Sequence, residues 1–380
     1  MTMSVSEKGT LRAAAVGDAP AITDFLAGLG LVMPDGPDAV IRHWRGLWVD
    51  NPALAHHADD VALGWVLEDA EAIKGFFGNI PQVSWLDEKP VLISSARAWA
   101  VDPGYRTETS RLCEAFFSQD NVDVVLISSA NPPAGKRCLA FGGAKMPQPG
   151  YGDILYWVVD APGFLKAAFR KKGRGTFMAG VLGLLGSVPL DFSMRIAGRR
   201  PYGALDNVTP VGIAAIDEAF DALWARRKKQ LGGVMLASRD AETLRWYFSL
   251  GAASDDVRLL RYDDGDTLRG YAVLVREDAQ QIGLRRMKIA DIFIDEDDPR
   301  VLQALLAGAY EYAMAKRCHV LELIGLPVGL RAEVMKSKPM SRPMATFPFY
   351  YKAMNGAMAD RLAAPETWYV TAYDGDTSLI

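Results

Sequence analysis

The stretch that decides the fold is Ala96 to Ala144, ARAWAVDPGYRTETSRLCEAFFSQDNVDVVLISSANPPAGKRCLAFGGA. It reads strand, turn, helix, strand, helix. Ala96 to Val101 is a short apolar run stopped by Asp102-Pro103-Gly104. That tripeptide is turn chemistry, because Pro fixes φ and Gly accepts φ values that other residues avoid. Leu112, Ala115 and Phe116 then fall at helical spacing. Val122 to Ser128 is a second apolar run, short and β-branched, as a buried parallel strand requires. Asn131-Pro132-Pro133 opens another helix, since Pro suits a first turn. Two parallel strands joined by a helix make a right-handed βαβ unit.

Outward from this unit the same alternation continues. Leu11 to Ala15 reads as a strand, and Asp18-Ala19-Pro20 opens a helix. Residues 34 to 60 are loop-rich and aromatic. Val61 to Glu68 and Ala72 to Ile80 read as a hairpin with Asp69 to Glu71 at its turn. Tyr151 to Asp160 reads as a late strand of this first unit. The second half gives an amphipathic helix from Val211 to Lys229, capped by basic residues and glycine. A hairpin follows across Asp263-Asp264-Gly265-Asp266. Then come a strand at Arg286 to Asp295, a helix from Pro299 and a strand at His319 to Ile324. Ala345 to Lys352 and Trp368 to Tyr373 are expected as two further strands. That order repeats the first half, so the fold class is α/β with an internal duplication. The division expected is 1–162, an insert at 163–205, and 206–380.

Composition narrows the function. The chain has 380 residues, enough for two domains, with Lys+Arg 42 against Asp+Glu 46 and a net charge of −4. That balance argues against a nucleic-acid partner, which wants a basic surface. Half of the residues are hydrophobic, so each unit can bury a core. Three cysteines without a C-x-x-C pattern suit reduced thiols in a cytoplasm. Four histidines, of which only His56 and His57 are adjacent, make no metal-ligand set. The start of the chain has no apolar core of signal-peptide length.

Val101-Asp102-Pro103-Gly104-Tyr105-Arg106 resembles the run at the fourth strand of the GNAT acyltransferase superfamily. Asn131, with Ala134 and Gly142 after it, resembles that superfamily's later signature. The resemblance implies two tandem GNAT-like units, of which the first binds acetyl-CoA or another acyl-CoA. It places the pyrophosphate at the turn after the fourth strand, on Val101, Arg106, Thr109, Ser110, Arg111 and Asn131. Backbone N–H groups at a helix N-terminus make such an anion site, and glycines let phosphate approach. Here the two glycine positions hold Thr109 and Arg111, and the superfamily's usual acid tyrosine falls on Cys138. The second half has Glu296-Asp297-Asp298-Pro299-Arg300 at the matching turn, acidic where phosphate wants positive charge.

The chemistry the resemblance implies is direct N-acyl transfer. A base frees the amine, the amine attacks the thioester, and an acid protonates the thiolate. Glu68 and Asp102 are the candidate bases and Cys138 the candidate acid. Each has a competing role: Glu68 as a hairpin carboxylate, Asp102 as a turn residue before Pro103, Cys138 as a buried thiol. Trp85, Trp99, Tyr151 and Trp157 are either core packing or an aromatic wall for acyl or sugar groups.

FFSQDNVDVVLISSAN, YGDILYWVVD and WYVTAYDGDTSL further resemble tandem GNAT-like and FemAB-type chains of bacterial exopolysaccharide and holdfast synthesis. The implied acceptor is an amino sugar or glycan. The alternative is a non-catalytic protein of the same fold that reads a nucleotide, cyclic di-GMP or a glycan. Residues 164–200 carry Lys166, Arg170, Lys171, Lys172, Arg174, Arg195, Arg199 and Arg200 around the apolar run TFMAGVLGLLGSVPL. This insert is expected either to pack as a helical element against the two units or to lie on an anionic inner-membrane surface.

Overall fold

A computed structural model describes residues 8–57, 61–172, 199–250 and 256–378. Two mixed sheets form the frame. The first holds, in order, β1 (Thr10–Ala13), β2 (Gly64–Asp69), β3 (Ala72–Leu86), β4 (Lys89–Val101), β5 (Val124–Ile127), β15 (Tyr350–Ala353) and β6 (Ala144–Lys145). A two-residue strand β9 (Leu236–Ala237) pairs with β3. The second sheet holds β14 (Met340–Pro343), β7 (Asp153–Val158), β13 (Val320–Leu323), β12 (Arg286–Ile294), β11 (Thr267–Arg276), β10 (Val257–Asp264) and β8 (Val208–Val211). In each sheet an antiparallel run leads to one parallel pair, β4 with β5 and β12 with β13. The duplication expected from element order is therefore present in the topology.

The hairpins explain the long strands. Between β2 and β3, Ala70 and Glu71 both sit at positive φ, and between β3 and β4 so do Asp87 and Glu88. Two-residue turns of this kind match the twist of the strands they join. Helices cover the sheets. Trp44, Leu47 and Trp48 of α2 (Pro37–Trp48) are buried in one continuous core with residues from both halves of the chain. Leu112, Phe116 and Phe117 of α3 (Thr109–Phe117) pack with Phe77 of β3 in a second core.

Strands cross between the sheets, and this departs from the expected division at 162. Tyr151 to Asp160 is not a late strand of the first sheet. Its strand β7 pairs with β13 and β14 in the second. Ile154, Leu155, Trp157 and Val158 are all buried, so β7 is apolar on both faces and suits an interior position. In exchange, β15 from the second half closes the first sheet beside β5. Its Tyr350 ring lies so close to Gly135 of α4 (Pro132–Ala140) that a Cβ there would collide with it. Tyr151 and Trp157 are core residues, at 1% and 0% exposure.

Trp368 to Tyr373, expected as a strand, makes only isolated bridges, Met235 with Trp368 and Gly325 with Thr371. The whole run from Thr367 to Asp376 is buried, and it touches both sheets. Gln148 holds it in place, its side-chain amide pairing with both the N–H and the C=O of Val370 at 2.9 Å. Arg239 is the anchor. It donates to both carboxylate oxygens of Asp291 on β12, at 3.0 and 3.1 Å, and lies 3.4 Å from Asp374. Its guanidinium is ringed by Phe293, Tyr369 and Tyr373, with centroids 4.8 to 5.3 Å away.

Of the basic insert, α5 (Ala161–Lys171) is described, and Phe164 packs on Tyr156 of β7. The apolar run lies outside the described residues. Among the described residues no helix is long and apolar enough to cross a membrane.

Two outcomes follow from the anchor. Arg239→Met strands two buried carboxylates, and the denaturation midpoint should fall by the equivalent of about 3–5 kcal/mol. An unchanged midpoint contradicts this account. Burial also pushes the Asp374 carboxyl up to about 6, against the pull of Arg239. Between pH ~4 and 6 the folded chain therefore holds a proton that the unfolded chain has released. This contribution to stability is full below pH ~4 and is lost as pH rises through about 6. A urea-melt series in this range should show that slope, and Asp374→Asn should flatten it.

Candidate active site

The site grows from a mismatch in strand length. β4 and β5 pair only from Ile93 to Ser95 against Val124 to Leu126. β5 stops at Ile127 while β4 runs on from Ala96 to Val101. The register with β3 then jumps: Gly78 faces Arg97, but Phe76 faces Ala100. Ala98 sits in this bulge at φ 52°. A bulge bends its strand and leaves a residue unpaired. The result is a split of about 180 Å³ between the two parallel strands. Phe77, Arg97, Trp99, Ser129, Asn131 and Ala134 are among its lining residues.

Asn131 is the one proposed binding residue at this split. Its side-chain oxygen accepts from the N–H of Ala134 at 3.0 Å and caps α4. Val101 ends β4 opposite Gly75. Arg106, Thr109, Ser110 and Arg111 lie farther along, on the turn Pro103–Glu108 and the start of α3. Here part of the turn's own hydrogen-bonding capacity is taken up by the chain itself. The Gly104 N–H goes to the Asp102 carboxylate at 2.8 Å, and the Tyr105 N–H to the Asp102 carbonyl. The Thr109 N–H goes to the Arg106 carbonyl, which also accepts the Thr109 hydroxyl at 2.8 Å. At the same helix end, Glu108 is buried and accepts from Thr107 at 3.0 Å and Arg111 at 3.1 Å. Burial alone would raise its carboxyl, but Arg111, Thr107 and the Lys8 amide outweigh it and hold it below the usual range. A resident carboxylate thus takes the favourable end of the helix dipole. A diphosphate here would meet the Glu108 carboxylate, where a glycine loop would offer bare N–H groups.

The three proposed catalytic residues are not brought together. Glu68 lies on β2 and pairs with Arg12 of the edge strand β1 at 2.7 Å. Asp102 is the cap of the turn after β4. Cys138 is buried on α4, and burial pushes its thiol up to about 12, so it is no ready proton donor to a thiolate.

Residues not read from the sequence stand in their place. Arg97 is the sole titratable side chain among the described residues that line the split. It pairs with Asp376 at 3.6 Å. Asp376 accepts from Ser128 at 2.7 Å and Ser129 at 2.9 Å, and its own N–H donates to the Ser128 hydroxyl. The C-terminal segment therefore closes the inner end of the split. Gly375 fits only because it has no Cβ, which would strike Ser128. His43, on α2, feels Arg97. Burial first and this charge second pull its imidazole down to about 4, leaving it neutral.

The second sheet has a matching split. β12 pairs with β13 only to Ile289 and continues to Ile294, with its own register jump near Ala290. Arg239, Asp291 and the three rings fill it. At the end of β12, Asp295 is buried and bound by Arg226, Arg269 and Gln230, which leaves no place for phosphate. Among the described residues no group of His, Cys, Asp and Glu could hold a metal ion.

No protein-family model matches the chain, and no curated protein is detectably similar. Solved structures are. A GCN5-related N-acetyltransferase from Anabaena variabilis matches 91% of this chain and 73% of its own, with TM-score 0.56 at 11% identity. A conserved protein from Enterococcus faecalis, described as a probable N-acyltransferase, matches 90% of this chain and 72% of its own, with TM-score 0.58 at 10% identity. Eis1 from Mycobacterium abscessus matches 90% and 73%, with TM-score 0.51 at 11% identity. The chain has the fold of GCN5-related N-acetyltransferases, built twice.

The thiols give a direct check on the site. Cys113, Cys138 and Cys318 are all buried and unpaired, and burial raises each. Iodoacetamide at pH 8 should leave all three unmodified in the native chain and alkylate them after unfolding. Rapid native labelling of Cys138 would return it to the site.

Proposed function

We propose that the chain is an acyltransferase that moves an acyl group from a thioester to an amine at the split between β4 and β5. The observation that carries this is the contrast between the two splits: the first is open, and the second is filled by Arg239. The finer expectation, an amino sugar in bacterial surface polysaccharide synthesis, is part of the same reading.

The thioester would lie along the free end of β4. The bulge at Ala98 leaves backbone groups without ladder partners, and such N–H groups can polarise the thioester oxygen. The amine attacks the carbonyl carbon, a C–N bond forms, the C–S bond breaks and a thiolate leaves. Arg97, held by Asp376, supplies positive charge where that thiolate forms. No carboxylate, thiol or imidazole is among the described lining residues, so the amine must arrive neutral. It attacks by proximity, and its proton leaves to solvent.

The donor needs only an arm that fits the split. Because the Glu108 carboxylate holds the helix end where a diphosphate would bind, acyl-CoA and a short acyl-cysteamine thioester should be used with kcat/KM values within about tenfold of each other. The rate should climb with pH until the amine's own pKa is passed. Arg97→Met should lower kcat by about 10²–10³-fold. Asp376→Asn, acting through Arg97, should lower kcat less and leave KM for the amine unchanged. An absence of product from every thioester would end the acyltransferase reading. It would favour the alternative that the Glu108 carboxylate at the helix end also supports, a non-catalytic protein that reads a nucleotide or glycan.

A further inference from the structure

A second cavity, of about 360 Å³, lies where the two halves meet. Such a volume falls in the usual ligand range of about 300–1,000 Å³. Trp85 comes from β3. Trp224 and Lys228 come from α6 (Glu218–Gln230). Trp246 and Tyr247 come from α7 (Ala241–Ser249), and Tyr373 from the C-terminal segment. The indoles are fixed by their polar edges. Trp85 donates to the Ser238 hydroxyl at 2.8 Å, and Trp246 to the Gly46 carbonyl at 2.7 Å. Rigid aromatic walls with a few fixed polar groups are what a bound ring wants.

Lys228 is the unusual member. Its ammonium lies 3.9 Å from the Trp85 ring centroid and 5.3 Å from that of Trp224. Among the described residues it has no carboxylate partner. Asp240, in the same wall, spends both oxygens capping α7 at Thr243, each at 2.8 Å. Glu242 is also in the wall, exposed to solvent. A half-buried ammonium pressed on two indoles, in ion-pair contact with neither wall carboxylate, can take up an anion.

The cavity and the split share no lining residue, and the buried turn at Gly375 and Asp376 stands between them. Gln82 and Gly375 are in the cavity wall, and the Gln82 amide donates to the Gly375 carbonyl at 3.0 Å. Asp376, the next residue, already touches Arg97 and Ser129 of the split. An acceptor with its ring at Trp85 and its anion at Lys228 would press on Gly375, whose neighbour Asp376 holds Arg97.

We propose that this cavity is the acceptor site, and that Lys228 with Trp85 selects a sugar carrying both a free amine and an anion, an amino sugar phosphate in preference to a neutral amino sugar. This rests on the acyltransferase reading above. The test is calorimetric titration of the full chain with glucosamine 1-phosphate and with glucosamine. The phosphate form should bind at least about tenfold tighter. Lys228→Met should erase that preference, Lys228→Arg should keep it, and Trp85→Leu should weaken both ligands. Equal affinities in the unaltered chain, no binding of either, or a preference that survives Lys228→Met would overturn the proposal. Acyl transfer to hydroxylamine, which needs no pocket, separates the two readings. If it proceeds while the phosphate preference is missing, the acceptor proposal falls and the transferase stands. If the preference holds while no thioester reacts, the cavity stands as a binding site and the transferase falls.

Discussion

One buried ion pair organises the space between the two sheets. Arg239 and Asp291 are both fully buried, and each would be costly alone. Together they are affordable only because the remaining hydrogen-bond capacity is taken up. Tyr271 donates to Asp291 at 3.0 Å, Thr371 donates to it at 2.8 Å, and Ala237 accepts from Arg239 at 3.0 Å. Three aromatic rings supply the rest of the shell. Two of these rings and Thr371 belong to the C-terminal segment. Forming the pair and seating that segment are therefore one event.

The consequences run outward in both directions. On one side the second split is closed, since the space a thioester arm would need is filled by a guanidinium and its rings. On the other side the segment continues past Thr371 and Asp374 to Gly375 and Asp376, and these reach the first split. Asp376 is held by Ser128 and Ser129, which lie in the turn between β5 and α4. The duplicated fold thus ties the filled split of one unit to the open split of the other. A charge network in the second half sets where Arg97 of the first half points.

Much of the architecture was legible. The βαβ unit from Ala96 to Ala144, the hairpins and the repeat of element order all follow from local spacing and turn chemistry. What was not legible depends on distance along the chain. Nothing near Tyr151 to Asp160 says which sheet the strand joins, because an apolar, two-sided strand fits the interior of either. Asp376 reads as a polar residue close to the end of the sequence. Only the path of residues 367 to 376 brings it 3.6 Å from Arg97. Arg97 itself was passed over as part of a strand. The register jump beside it is not written in ARAWAV, where small and large side chains alternate without a break; it shows only in the strand pairing, with Ala98 at a left-handed φ that alanine adopts at a cost.

The site residues inherited from resemblance fared differently from those the geometry supplies, and the reason is physical. A phosphate cradle is made of backbone N–H groups, so it needs glycine and an uncommitted turn. In this chain the two glycine positions hold Thr109 and Arg111, and Glu108 puts a negative charge at the helix end. A strand split, by contrast, is made by unequal strand lengths and a bulge, and asks little of side-chain identity. The first feature can be lost by a few substitutions while the second survives as long as β4 outruns β5. That asymmetry is why a chain with 10–11% identity to its structural neighbours keeps the open split yet has a carboxylate at its diphosphate turn.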